Sequence, residues 1–251
     1  TEVEVYMRAH MPHTFDAVQD TIRIFLTLVG LLLFGSHVHA DDVDVGVFVR
    51  ADSDNTQVVT PNARVDAGII DDFTRISVGY AADIWTSASI DIRAAATGRV
   101  TEQRDEINAS ISRDFVGTEV DAAYRFSLEG DYVSHSASVG FAQRLAQGAA
   151  TLDGRVFAAF DTVGRSGDEN FERALNTYGA RLSFTQALNP KTLLGAGYEL
   201  QLRNGYQASP YRFVGIGPSS ICGQGAVLCL PEAHPNDRTR HALVGRARYA
   251  L

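Results

Sequence analysis

The sequence predicts an all-β fold: an antiparallel up-and-down transmembrane β-barrel of about ten strands, either complete or an incomplete part of a larger barrel. Three observations predict it. A hairpin at residues 102–128 alternates apolar and polar residues on both arms, similar segments recur along the chain, and the connections between them are short and long in turn.

The hairpin is the clearest element. Ile107, Ala109 and Ile111 fall on one side of its first arm, with Glu106, Asn108, Ser110 and Ser112 on the other. After a break at residues 114–117, Val120, Ala122, Tyr124, Phe126 and Leu128 share one face, and Glu119, Asp121, Arg125 and Ser127 share the other. Successive side chains of a strand point to opposite faces, so these are two antiparallel strands with one apolar and one charged side. A strand between lipid and a polar lumen reads this way, and so does a half-exposed strand of a soluble sandwich. The rest of the chain has to decide.

The upstream part reads as a leader. Residues 22–34 form the only long apolar run. It falls short of the roughly 20 residues a membrane-crossing helix needs, but fits the apolar core of about 7–15 residues in an export signal. Val38 and Ala40 supply the small residues before a cut, which places cleavage after Ala40. Residues 1–40 are then upstream residues and signal peptide, with Met7 or Met11 as alternative starts, and 41–251 are the outer-membrane barrel domain. An uncleaved anchor is the alternative.

Along the rest, Val43, Val45, Val47 and Val49 alternate with Asp44, Gly46, Phe48 and Arg50. Comparable runs centre on Ala67, Val78, Val139, Val156, Ala180, Tyr198 and Ala247, many near the about 9–11 residues that cross a bilayer at a tilt. Short connections fall at residues 71–72, 114–117, 146–149 and 189–191, and long ones at 51–62, 84–101, 129–134, 162–174 and 204–237. An outer-membrane barrel sorts its loops in this manner, tight turns on one rim and extended loops on the other, whereas a sandwich has no reason to. A helical turn at residues 169–175 is the one interruption expected. The chain stops inside a strand at Tyr249, Ala250 and Leu251, which suggests truncation of a longer barrel.

The net charge of −8 and the lack of any Lys/Arg-rich run argue against a nucleic-acid partner, and Lys191 is the sole lysine. The expected partners are outer-membrane lipid and small polar solutes.

The stretch Gly205-Tyr206-Gln207-Ala208-Ser209-Pro210-Tyr211-Arg212-Phe213-Val214 is followed by Cys222, Cys229 and Pro231-Glu232-Ala233-His234-Pro235. With Asp83-Ile84-Trp85-Thr86-Ser87-Ala88-Ser89 and Thr101-Glu102-Gln103-Arg104-Asp105-Glu106, it resembles domain-of-unknown-function family 3570, a family of uncharacterised bacterial proteins. The similarity extends over essentially all of the mature chain. The resemblance implies an outer-membrane barrel, usually longer than this chain, and brings no activity, substrate or catalytic residue with it.

Cys222 and Cys229 are the only cysteines, and in an exported protein such a pair reads as a disulfide. A metal site with His234 and His241 is the sharper alternative, but the spacing fits no standard zinc pattern. No metal or other cofactor is expected. His135, His234 and His241 are scattered, no Gly-x-Ser-x-Gly elbow exists, and Gly215-Ile216-Gly217 lacks the third glycine of a nucleotide cradle. No catalytic residue is therefore named, and the chain is read as a non-enzyme; an outer-membrane enzyme using His135 or His234 is the remote alternative. Asn108 begins a glycosylation sequon inside a strand, which carries no weight.

The expected lumen-lining residues are Arg75, Glu106, Glu119, Asp121, Arg125, Arg155, Arg181, Glu199 and Arg203. Either they fill a salt-bridged interior or they line a pore that selects charged solutes. Trp85, Tyr206, Tyr211, Phe213 and His234 are candidates on the extracellular loops, where aromatics contact ligands or anchor at the bilayer interface. Two functions follow as expectations: a pore for small polar or charged solutes, or a non-conducting barrel whose loop 204–237 engages a partner.

Overall fold

The computed structural model describes residues 38–51, 57–69, 73–87, 100–218, 222 and 227–250. The chain divides into two compact units, Thr1–Gly130 and Asp131–Leu251. In the first, β1 (Val38–Ala51), β2 (Gln57–Ile69), β3 (Thr74–Ser87), β4 (Val100–Phe115) and β5 (Thr118–Glu129) each pair antiparallel with the next. In the second, β6 (Tyr132–Leu145), β7 (Ala150–Val163), β8 (Arg173–Asn189) and β9 (Thr192–Gly205) do the same, and β9 then pairs with β12 (Asp237–Tyr249). The expected class holds: the fold is all-β, antiparallel and up-and-down, with ten long strands among the described residues. β5 is 12 residues long and β8 is 17, so each exceeds the about 9–11 residues of a bilayer crossing.

The register carries the alternation from strand to strand. Val43, Val65, Val78, Ala109 and Tyr124 stand in one row across β1–β5, because each is directly opposite the next. Val139, Val156, Ala180 and Leu200 do so across β6–β9. A slip of one residue would exchange the two faces, so the apolar pattern itself pins the pairing. In the first unit this face packs around buried Val65, Ala67, Val78 and Ile107. Away from that cluster the apolar face is open in both units: Val43, Val45 and Tyr124 are 54%, 73% and 46% exposed in the first, and Val139, Val156 and Leu182 are 52%, 59% and 52% exposed in the second.

A buried carboxylate interrupts the apolar face. Asp105 stands there fully buried, and it accepts hydrogen bonds from the Tyr80 hydroxyl at 2.5 Å and the Gln103 amide at 3.0 Å. Those two donors replace the water its carboxylate has lost.

The tight turns have identifiable chemistry. Val116 and Gly117 close β4 to β5 with φ of 41° and 96°, both in the left-handed region that suits a two-residue hairpin. Residues 146–148 form a 3-10 turn with φ positive at Ala146, Gln147 and Gly148. Pro190 and Lys191 turn β8 into β9, and the Asn189 side chain accepts from the Lys191 amide at 2.9 Å.

Several boundaries differ from expectation. Gly130 and Asp131 alone separate β5 from β6, so the long connection expected at 129–134 is a two-residue turn and the short–long alternation is broken there. Adjacent apolar residues Tyr132 and Val133 blur the period of two, although both extend β6. Trp85, expected on a loop, lies in β3 opposite Val58 and Glu102, on the charged side. Its β-forming neighbours Ile84 and Thr86 continue the strand past the point where the apolar alternation is legible. β2 begins at Gln57, and Pro61 is inside it. Residues 169–172 are loop, and β8 starts at Arg173 in place of a helical turn. Inside the longest connection a small hairpin forms from β10 (Phe213–Ile216) and β11 (Leu228–Pro231). β1 begins at Val38, ahead of the expected cut. Residues 1–37 of the expected leader and the turn at residues 71–72 lie outside the described residues. Among the described residues no helix is long and apolar enough to cross a membrane, a fact without bearing on crossing by strands.

Candidate functional site

The charged faces are the candidate site, and each unit builds its own. In the first, Arg125, Asn108, Gly79 and Arg64 form one row and Glu106 and Ala81 belong to the next. Ion pairs are formed here. Arg64 holds Asp66 with two 2.9 Å hydrogen bonds, Arg104 pairs with Asp83, and Arg125 reaches Glu106 at 3.9 Å. Asp83 also accepts from the Thr60 hydroxyl at 2.7 Å. Arg64 and Arg125 are more than half exposed, so such pairs add little stability, on the order of 0–1 kcal/mol each. They set the charge pattern of the face more than they hold it together. Arg75 stands opposite Gly68 and Ser112, Asp121 opposite Ser112, and Glu119 opposite Asp114.

The second unit is arranged differently. Arg155 is directly opposite Arg181, and Arg181 is opposite Glu199. Arg155 donates to the Ser138 hydroxyl at 2.8 Å, and Asp161 accepts from Ser134 at 2.6 Å. Toward the long-loop end, Arg203 faces Arg238 and Gln201 faces Arg240 across β9 and β12. These four residues line a cleft of about 120 Å³. Phe157 shares the row of Gln201 and Arg240, its ring lying over Gly179, where a Cβ would stand 2.1 Å from it.

The nine lumen candidates all lie on these charged faces, in two groups: Arg75, Glu106, Glu119, Asp121 and Arg125 in the first unit, and Arg155, Arg181, Glu199 and Arg203 in the second. Arg238 and Arg240 escaped sequence reading. The first half of β12, Arg238-Thr239-Arg240-His241, has no apolar alternation to assign its residues to a face.

The loop candidates Tyr206, Tyr211 and Phe213 converge in one assembly. Arg165 stacks over the Phe171 ring at 4.1 Å and lies 5.9 Å from that of Phe213, and Arg173 covers Phe171 at 4.8 Å. Phe171 meets Tyr206 edge-on at 5.5 Å. Arg165 Nε donates to the Pro210 carbonyl at 3.0 Å, and the Tyr211 hydroxyl accepts from the Ser166 amide at 2.7 Å while donating to the Asp131 carboxylate. Burial raises the Tyr211 phenol above its ordinary value, the Asp131 carboxylate adds to the rise, and the Ser166 amide opposes it. Cation–π contacts of this kind contribute about 0.5–2 kcal/mol each, enough together to fix a loop.

Cys222 and Cys229 are bonded to each other, which occupies both as ligands. His234 meets the Glu232 carboxylate at 3.4 Å, and His241 contacts the Tyr198 hydroxyl at 2.7 Å on the apolar side of β12. Among the described residues no group of three or more metal-ligating side chains assembles.

No curated protein matches the chain. Two solved structures are similar in fold alone. In-vitro folded OmpT, an outer membrane protein of Vibrio cholerae in trimer form, is 9% identical with a TM-score of 0.48, covering 81% of this chain and 64% of that one. Outer-membrane expressed OmpT of Vibrio cholerae is 11% identical with a TM-score of 0.47, covering 84% and 65%. The chain thus spans a little under two thirds of the length of each. The family model described as "Protein of unknown function (DUF3570)" matches residues 93–251, from the connection before β4 to the end of the sequence. The chain belongs to that family, DUF3570.

Proposed function

We propose that the chain is an outer-membrane β-barrel protein, not an enzyme, whose charged face lines a pore for small polar or charged solutes. One observation carries this reading: the apolar and charged faces stay in register across every paired strand of each unit, while the apolar face of the second unit is left half exposed. A wide apolar surface is stable against hydrocarbon and costly against water, and the opposite face then belongs to an aqueous interior. Charged rings on such an interior select solutes by sign and size.

The test is single-channel conductance of the refolded full chain in a planar bilayer. Discrete, ion-selective steps that change selectivity in Arg125→Gln and Arg155→Gln support the pore. A silent bilayer from a protein that still migrates as a folded, heat-modifiable species overturns it.

The long connection favours a second reading, a non-conducting barrel that binds a partner. Residues 204–237 are anchored by the Arg165 assembly and carry a disulfide-tied hairpin whose Val214, Ile216 and Leu228 are about half exposed. Deleting that connection would then abolish partner capture and leave the strands folded.

A further inference from the structure

We propose that the cleft walled by Gln201, Arg203, Arg238 and Arg240 binds a small oxyanion, the carboxylate or phosphate group of a polar solute. This deepens, and rests on, the reading of the charged face as solute-facing.

The geometry points to an anion because the site is built of like charges with nothing to offset them. Arg203 and Arg238 stand directly opposite each other on paired strands. Like charges in that position repel, and the sheet would be more stable with almost any neutral residue at either place. Arg240 is on the same face two residues along β12, opposite Gln201. Several arginines elsewhere on the charged faces have side-chain partners: Asp66 for Arg64, Asp83 for Arg104, Ser138 for Arg155. Among the described residues, the side chains of Arg203, Arg238 and Arg240 make no ion pair or hydrogen bond. Arg203 Nε is shielded from solvent and still has no hydrogen-bond partner. A buried N–H of a cation left unmade costs far more than a neutral one, which makes it an incomplete half of a contact.

The cleft has room for the other half. Its volume of about 120 Å³ exceeds the about 30 Å³ of a water molecule several-fold and suits a phosphate-sized group. On β8 the small Thr177 stands opposite Arg203, while Gly179, opposite Gln201, is covered by the Phe157 ring. A guanidinium presents parallel N–H donors that match two oxygens of one carboxylate or phosphate, and Gln201 adds an amide donor. A lipid headgroup is not the occupant meant, because the cleft is on the face opposite the apolar one.

The experiment is calorimetric titration of inorganic phosphate into the full chain refolded in zwitterionic detergent at low salt. The expected result is saturable binding, weakened tenfold or more in Arg203→Gln and in Arg238→Gln, by a smaller factor in Arg203→Lys, and unchanged in Lys191→Gln on the turn after β8. Heat-modifiable migration confirms that each variant is folded. Absence of saturable binding, or equal binding in wild type and both glutamine variants, overturns the proposal. Bilayer recordings separate it from the pore reading: binding with a silent bilayer supports the oxyanion site and removes the pore. Conductance without phosphate binding does the reverse.

Discussion

The Tyr211 hydroxyl, in the longest connection of the chain, donates to the carboxylate of Asp131, 80 residues earlier in the turn before β6. The same oxygen accepts from the Ser166 amide, so one phenol ties the loop after β9 to two other connections of its unit. The loops of this end form one packed layer, and the first prediction concerns what holds it.

Tyr211→Phe removes both hydrogen bonds and leaves the Asp131 carboxylate and the Ser166 amide to find water. The expected cost is about 1 kcal/mol, confined to the loop layer. Limited proteolysis should cut residues 206–236 sooner in the variant, with strand circular dichroism unchanged.

In the wild type the same contact predicts a pH response. The folded phenol titrates above its unfolded value, so its contribution is complete below about pH 10 and fades as pH rises through the folded value. Protease sensitivity of the loop should increase in that alkaline range. In Tyr211→Phe it should already be high and change less.

Val116 predicts a gain. It is a β-branched residue at φ 41° with its side chain fully exposed, so it bears strain and packs against nothing. Val116→Asn should raise stability by about 1 kcal/mol, measured by urea unfolding from micelles, since Asn adopts this conformation readily. No gain would mean the turn relaxes without cost.

Gly205 predicts a loss. Its φ is +120°, and a Cβ there would stand 2.2 Å from the Ala174 carbonyl oxygen. Its amide also donates to Asn236 at 2.9 Å, linking the end of β9 to the residue before β12. Gly205→Ala should cost roughly 2 kcal/mol or more, whereas Gly130→Ala, with open space around it, should shift stability by a few tenths. Equal thermal midpoints for the two variants would refute the assignment.

Double replacement of Cys222 and Cys229 by serine opens a short ring spanning seven positions. The loss should be about 2–3 kcal/mol in the β10–β11 hairpin and should not reach the ten long strands. Hydrogen exchange at Val214 and Leu230, which pair in that hairpin, is the measurement.

The strands were legible because lipid-like and water-like faces impose a period of two, and residues such as Tyr124 and Arg125 declare their sides by parity alone. What parity does not give is register. Arg203 was assigned to the charged face, but its confrontation with Arg238 depends on how β9 and β12 align, and β12 begins in a stretch with no apolar alternation. Trp85 misled because a large aromatic on the charged face breaks the pattern a reader follows. The loop layer was the least legible part. Arg165, Phe171 and Asp131 carry it, and nothing local to those residues announces that chain so far downstream will fold back onto them.

On the proposed reading of an exported outer-membrane protein, the bond between Cys222 and Cys229 would also record where the chain has been. Thiols are kept reduced in the bacterial cytosol and are oxidised once past the inner membrane. The two states therefore sort molecules by history and not by fold. A thiol-reactive tag applied to whole cells would mark only copies awaiting passage, and their ratio to bonded copies would report how quickly the protein leaves the compartment in which it is made.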